Sequence, residues 1–589
     1  MKFKYIPTIS QATLLFIVLL LILINNLQSE KLLTIISLIF IFYAVFITFF
    51  KNDYLLIRVV KKVKIKNLFN IFFLLIIFLY LIIFQNYFLN YETITWDVSS
   101  YLVASQELEQ GNLPFSTQWE SKGPLNNIFF FLLSSFVGKN YVLFKLLNDL
   151  LIYFIILNLY YYLQKKSKNN SLNYVSLVFF TVLFSTKWYV SEYTEFYCLI
   201  IISYVHYFYL KKSYSKSKFL FIGILFSFSV LINQGSLIII LGYLYYFFIN
   251  YEKTRLKHIY FYLGIGFTLP LISIVLIYVR FNLFEVLLAN YFYIPLGYTG
   301  TNASSFYEIR VFLREIFNYN MYLYFSLVSI PILLTTDFIR NKSQSFSFFK
   351  DLDYILFVFG ITYYFVAGHN YYHHFIYALY FLCIILTKVS LIQNKQFISI
   401  LVFASFVFAN LNYTNKSIEN LSDIENVYRN YPLKNLALEI DSHFHGKPYT
   451  IFALDYVLVL YYLDKPNYSY IIHPTNHYQD YITDPLINAG VLMENEVERL
   501  FNNKPDVLIC NTKAIDNGGQ VINFDPIFFG KLIEENQSNS CSLEYLEKDY
   551  FLIDSKKYRE NMNLNFYKDP YKDMNVFILK IHRTNDLDQ

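Results

Sequence analysis

Charged residues are scarce in this sequence. They make up 15% of its 589 residues, where an ordinary soluble domain carries about 25%. The shortage is concentrated in the first two-thirds of the chain, which excludes one large soluble core. The net charge of +5 is small for the length and leaves no footprint for nucleic acid. Cysteine is scarce as well, with four in all, and no Cys-x-x-Cys or His/Cys spacing points to a metal. Cys198 and Cys383 sit in apolar runs. Cys510 and Cys541 sit in the polar tail, where they pair if that tail meets an oxidising compartment and otherwise stay thiols. A small-x-small cleavage site is missing after the first apolar stretch. Residues 1–26 therefore read as a retained span and not as a removed signal peptide.

What is abundant is apolar: 56% of the residues are hydrophobic, with 62 Phe and 57 Tyr. A spanning helix needs roughly 20 such residues. Runs of this kind are expected at 11–26, 31–50, 68–89, 141–163, 172–188, 196–210, 219–232, 236–250, 259–279, 319–336, 352–367, 370–387 and 396–412, which makes a polytopic α-helical membrane protein of about thirteen spans. Basic clusters follow every second run, as at Lys61 and Lys62, Lys165 and Lys166, Lys211 and Lys212, Lys253 and Arg255, Arg340 and Lys342, and Lys388. Such loops stay cytoplasmic, so the N-terminus is expected inside and the C-terminal tail outside. The run at 125–137 is too short to cross and reads as an interfacial or re-entrant helix.

Three regions are expected: a two-helix extension at 1–66, a membrane core at 67–412 and a soluble α/β domain at 413–589. In the last, strands are expected at 449–454, 468–473, 506–510 and 576–581, and helices at 456–463 and 484–502. That alternation is the mark of a small α/β fold.

The chemistry gathers in the outer loops. Asp97 follows a long apolar run by a few residues. A carboxylate desolvated at such a boundary gains basicity and suits a general base taking a proton from a hydroxyl; the competing role is a helix N-cap. Lys122 precedes Gly123-Pro124, a pair that fixes a turn and starts a helix. A lysine there can meet a phosphate or simply snorkel to the interface. Arg280, Arg310, Arg314 and Lys187 add outer cations that suit phosphate or anchor the chain at the interface.

The order Asp97, Gly111-Asn-Leu-Pro114, Lys122-Gly-Pro124 resembles the membrane-embedded GT-C glycosyltransferases, in particular the bacterial relatives of protein O-mannosyltransferases and of the lipid A aminoarabinose transferase. Thr194-Glu195-Phe196 is similar to the family's acidic residue in the second outer loop, although Glu192 competes for that match. Asn233-Gln234 is similar to a Lys-Gln pair, and the stretch from Gly368 to Phe375 to a Gly-Arg-x-x-x-x-His-Tyr segment that aligns His374 with the family His. Asn233 replaces the family Lys, His369 the Arg and Phe375 the Tyr. The resemblance implies a GT-C-like core in a bacterial plasma membrane, with a periplasmic or extracellular tail. It implies a polyprenyl-phosphate-linked sugar as donor and a lipid, glycan or protein hydroxyl as acceptor, joined with inversion. Asp97 would be the catalytic base. Lys122, Glu195, Gln234, Arg280, Arg310 and His374 would bind substrate, with Lys122 neutralising the departing phosphate. No cofactor is implied; a divalent metal is open, without the Asp-x-Asp pattern of metal-dependent relatives. A transporter or flippase of lipid-linked sugars and a non-catalytic scaffold are the competing functions.

Overall fold

The computed structural model describes residues 65–90, 92, 96–166, 170–185, 192–210, 215–301, 350–367, 371–388, 411–511, 550–553 and 574–579, with a few further residues between 310 and 328. The apolar runs inside these segments fold as helices. They are α1 (Ile65–Gln85), α4 (Tyr141–Lys166), α5 (Asn170–Phe184), α6 (Thr194–Tyr209), α7 (Lys216–Ile232), α8 (Leu237–Asn250), α9 (Lys253–Arg280), α10 (Leu352–Ala367) and α11 (Ile376–Leu386). Two shorter helices precede α4: α2 (Trp96–Glu109) and α3 (Pro124–Val137). The expected runs at 11–26, 31–50, 319–336 and 396–412 lie wholly or almost wholly outside the described residues. Among the described helices, α4 and α9 are long and apolar enough to cross a membrane.

Helices α7 and α9 pack backbone against backbone. A methyl group on Gly223 would lie 2.2 Å from the Leu263 carbonyl oxygen, and one on Gly266 would lie 2.0 Å from that of Leu220. Only glycine lets the two backbones approach this far, a device common where apolar helices meet without water to drive them together. The outer side of α9 carries exposed Phe261, Leu269, Ile272, Leu276 and Val279, and only 17% of its apolar window is buried.

After α12 (Leu411–Ser422) and α13 (Pro432–Phe444) comes a four-stranded mixed sheet. Its order is β1 (Ile451–Ala453), β2 (Val507–Asn511), β4 (Met574–Leu579), β3 (Tyr550–Ile553). β1 pairs with β2 in parallel, and β4 runs antiparallel to both its neighbours. A parallel pair needs a long crossover. Here it contains α14 (Leu458–Leu463), α15 (Asp480–Asn488) and α16 (Glu496–Asn502). The sequence pattern at 484–502 suggests one helix, but the structure has two, because Gly490 (φ +75°) and Asn495 (φ +52°) turn the chain left-handed between them. Residues 468–473 are not a sheet strand either. Their alternation is used elsewhere, in a single parallel bridge between Ile471 and Trp119. β3 was not legible in advance. Cys510, on β2, is disulfide-bonded, whereas Cys198 and Cys383 are free; Cys541 lies outside the described residues.

The α/β unit is hydrogen-bonded to the segment between α1 and α3. Trp119 N–H donates to Tyr470 O at 2.7 Å, and Ile472 N–H donates to Trp119 O at 3.3 Å. Gln118 donates to the carbonyls of Asn467 and Ser469, and accepts from Asn467 N–H at 2.8 Å. Glu92 accepts from the N–H groups of Leu433 and Lys434 in the first turn of α13, donors that a helix leaves orphaned. Glu107 gathers the loop itself, accepting from Phe115 N–H, Gln118 N–H and both donors of Thr117.

Candidate active site

Asp97 lies in the first turn of α2, inside the helix and not at its cap. The positive end of the helix favours a carboxylate there. Facing it is His473, whose Nε2 is 3.2 Å from Asp97 Oδ1. His473 comes from the α/β unit, two residues beyond the Ile471–Trp119 bridge, and that bridge sets its position. Trp96 closes one side, edge-on to the imidazole with centroids 6.1 Å apart.

The Asp97 side chain keeps 34% of its surface exposed, yet its carboxyl is held well below the usual range. Burial alone pushes it up; the hydrogen bond and charge of His473, helped by Lys122 and His373, outweigh that. The expectation of a carboxylate made more basic by desolvation is thereby corrected. His473 moves the opposite way: burial disfavours its proton, but Asp97 and then Glu120 raise its affinity above the ordinary imidazole value.

Glu120 is a third member. It is 1% exposed. Its Oε1 accepts from Ser121 N–H and Oγ–H at 2.8 Å each. Its Oε2 has no hydrogen-bond partner among the described residues. Burial pushes its carboxyl up, His473 counters, and Asp97 pushes it further.

Lys122 stands two residues on, just before the turn that opens α3. Gly123 is required there by closeness and not by its φ of −71°. An added methyl would meet Leu231 O at 2.0 Å and the Tyr291 hydroxyl at 2.3 Å. Pro124 fills N1 of α3, where its missing N–H costs nothing. The turn is clamped from outside: Gly123 N–H donates to Ile232 O, and Asn290 donates to Lys122 O at 3.0 Å. The Lys122 ammonium is within electrostatic reach of both Asp97 and Glu195.

Glu195 opens α6 and is 2% exposed. Its Oε1 accepts from Asn233 Nδ2 at 3.0 Å and Tyr363 Oη at 2.9 Å. His374 and His373 approach it at 3.6 Å and 4.0 Å. Asn233, standing where the resembled family has a lysine, thus serves as a carboxylate-holding residue. Gln234 donates to Asn290 O at 3.2 Å, so it supports the segment that clamps Lys122. Four residues marked from sequence, Asp97, Lys122, Glu195 and His374, are therefore linked in one electrostatic cluster, joined by His473 and Glu120, which sequence reasoning missed. Arg280, Arg310 and Arg314 are exposed. Lys187 and His369 lie outside the described residues. No protein-family model matches the chain, and no curated protein matches it.

The Asp97–His473 pair has a defined pH window. His473 binds its proton more tightly when folded, so its contribution to stability is full below the ordinary value of 6.5 and is lost as pH rises through the raised folded value. Asp97 is depressed, so its contribution is full above 3.8 and is lost as pH falls through the lower folded value. Thermal unfolding in detergent between pH 5 and 9 is expected to show a decline on the alkaline side that His473→Gln flattens. Superimposable pH profiles for the two proteins would contradict the pairing.

Proposed function

We propose that this chain is a membrane-embedded glycosyltransferase of the GT-C kind, which moves a sugar from a polyprenyl-phosphate-linked donor to an acceptor hydroxyl at the outer membrane face, with inversion. The observation that carries this reading is the gathering of a fixed carboxylate, Asp97, and a cation, Lys122, around one outer loop, beside Glu195 and the histidines.

The roles follow from the charges. The acceptor oxygen attacks the sugar's anomeric carbon, its proton passes to Asp97, and the bond from that carbon to the phosphate oxygen breaks. His473 orients Asp97 and holds it in its ionised form, free to accept a proton, while lowering its affinity for that proton. Glu120 offers a second carboxyl for the proton. Negative charge builds on the leaving phosphate, and a preplaced ammonium at Lys122 lowers the barrier. A base opposite the leaving group fits single displacement with inversion. The exposed apolar side of α9 supports a lipid surround, since a face of that kind needs an apolar partner outside the chain. The disulfide at Cys510 supports a tail in an oxidising compartment. In this reading the thirteen expected runs are the spans, and α3 lies at the interface.

The test is to offer the purified protein a panel of polyprenyl-phosphate sugars and acceptors in detergent or vesicles. Sugar transfer that depends on the lipid phosphate is the expected outcome. Movement of intact lipid-linked sugar across the vesicle, with no new glycosidic bond, would replace this reading by transport. Failure of both would leave a scaffold.

A further inference from the structure

We infer that Glu195, His373 and His374 form a binding site for a divalent transition-metal ion, zinc-like in preference, in the wall of the same outer cluster. One ligand atom from each residue falls within a set whose members all lie within 4.8 Å of one another. His374 Nε2 is 3.6 Å from Glu195 Oε1, and His373 Nε2 is 4.0 Å from Glu195 Oε2. These separations are too long for hydrogen bonds. Zinc bonds of ~2.0–2.2 Å in a tetrahedral shell put neighbouring ligand atoms roughly 3.3–3.6 Å apart; the His374 separation matches that spacing, and His373 would close on the ion from its 4.0 Å separation.

A second observation points the same way. The His374 side chain is 6% exposed, and its Nδ1 has no hydrogen-bond partner among the described residues. A buried imidazole normally satisfies its ring nitrogens. Here one nitrogen lacks a partner and the other faces a carboxylate across a gap. The surroundings meanwhile hold Glu195 and His373 in place. Asn233 and Tyr363 fix Glu195 Oε1, and Asn233 is itself held by Thr194 and by Gly235 N–H. Tyr193 stacks on His373 with centroids 3.8 Å apart and planes 9° apart, and Tyr371 lies nearly parallel at 5.5 Å. Gly235 admits no side chain, because a methyl would sit 2.5 Å from the Tyr363 ring. Ligands fixed in this way by their neighbours are the usual company of a metal.

Two imidazoles and one carboxylate select zinc and its transition-metal neighbours over magnesium and calcium, which prefer oxygen. Three protein ligands leave a fourth position open. An oxygen anion is the class of ligand that suits the open position, and a donor phosphate would be one; that last step alone rests on the glycosyl-transfer reading.

The test reads metal and not sugar. The full chain, purified in detergent and stripped with chelator, is incubated with zinc, cobalt(II) or magnesium, desalted and analysed for bound metal. About one zinc or cobalt per chain is expected, with visible cobalt absorption of a four- or five-coordinate site and no competition from magnesium. His374→Ala and Glu195→Gln should each weaken binding at least tenfold, while His473→Ala leaves it unchanged. His373→Gln serves as a further ligand variant should either of these fail to fold by thermal unfolding. Absence of stoichiometric metal in the wild-type chain overturns the site, as does binding that survives loss of the ligands.

Discussion

Asp97→Asn is expected to reduce the rate of sugar transfer by about 10²–10⁴-fold, the usual contribution of a positioned base. The substitution is nearly isosteric, and Asn can still accept a hydrogen bond from His473, so the cluster keeps its shape. What disappears is the negative charge and the site for the proton. The loss is therefore expected in kcat, with the donor KM little altered, because the base acts only as the acceptor oxygen bonds to the sugar. A second signature follows from the charges around it. Asp97 is the main cause of the raised proton affinity of His473, so in the variant the imidazole falls back and the alkaline edge of the stability profile moves down. Steady-state rates on a lipid-phosphate sugar, with the unfolding profile measured alongside, check both. Wild-type transfer by Asp97→Asn would remove the proposed base and direct attention to Glu120.

Lys122→Met is expected to slow transfer by about 10²–10³-fold, the range seen when one preplaced stabiliser of a developing anion is removed. Methionine keeps most of the aliphatic stem and its packing, and removes only the ammonium. The phosphate becomes more negative as the sugar leaves, so the cation interacts more strongly with the transition state than with the bound donor. The loss should again lie mainly in kcat. Lys122→Arg should retain part of the rate, although a guanidinium cannot occupy the same point beside a turn clamped at Gly123. The informative contrast is kinetic: a rise in KM at constant kcat would reduce Lys122 to a binding residue, whereas unchanged kinetics would remove it from the site.

Asp97 and Lys122 were legible in the sequence because both belong to one loop bounded by apolar runs, and because Gly123-Pro124 announces a turn. The structure adds the reason for Gly123, the Leu231 carbonyl and the Tyr291 hydroxyl, which belong to elements far along the chain. Glu195 and His374 were found only through the family resemblance, since each is a lone polar residue at the edge of an apolar run. His473 was hidden for a physical reason. Its stretch alternates like a strand, and nothing local reveals that Ile471 bridges Trp119 and not a sheet neighbour. The misjudged basicity of Asp97 has the same origin: burial can be guessed from flanking residues, whereas a partner brought in by long-range packing cannot. The break at Gly490 is a milder case, in which a helical pattern concealed a left-handed turn.

The Ile471–Trp119 bridge has a consequence for the order of events in synthesis. A growing chain carries Asp97 and Lys122 out of the ribosome early, but the imidazole that faces Asp97 arrives only after the chain has been made as far as β1 and beyond. In the proposed orientation the tail must also reach the outer side and fold against the loop. Until then the carboxylate has no His473 beside it, Gln118 and Trp119 have no partners in the α/β unit, and the first outer loop lacks its cover. Nascent chains, and chains truncated before His473, would thus hold the early half of the site without the late half.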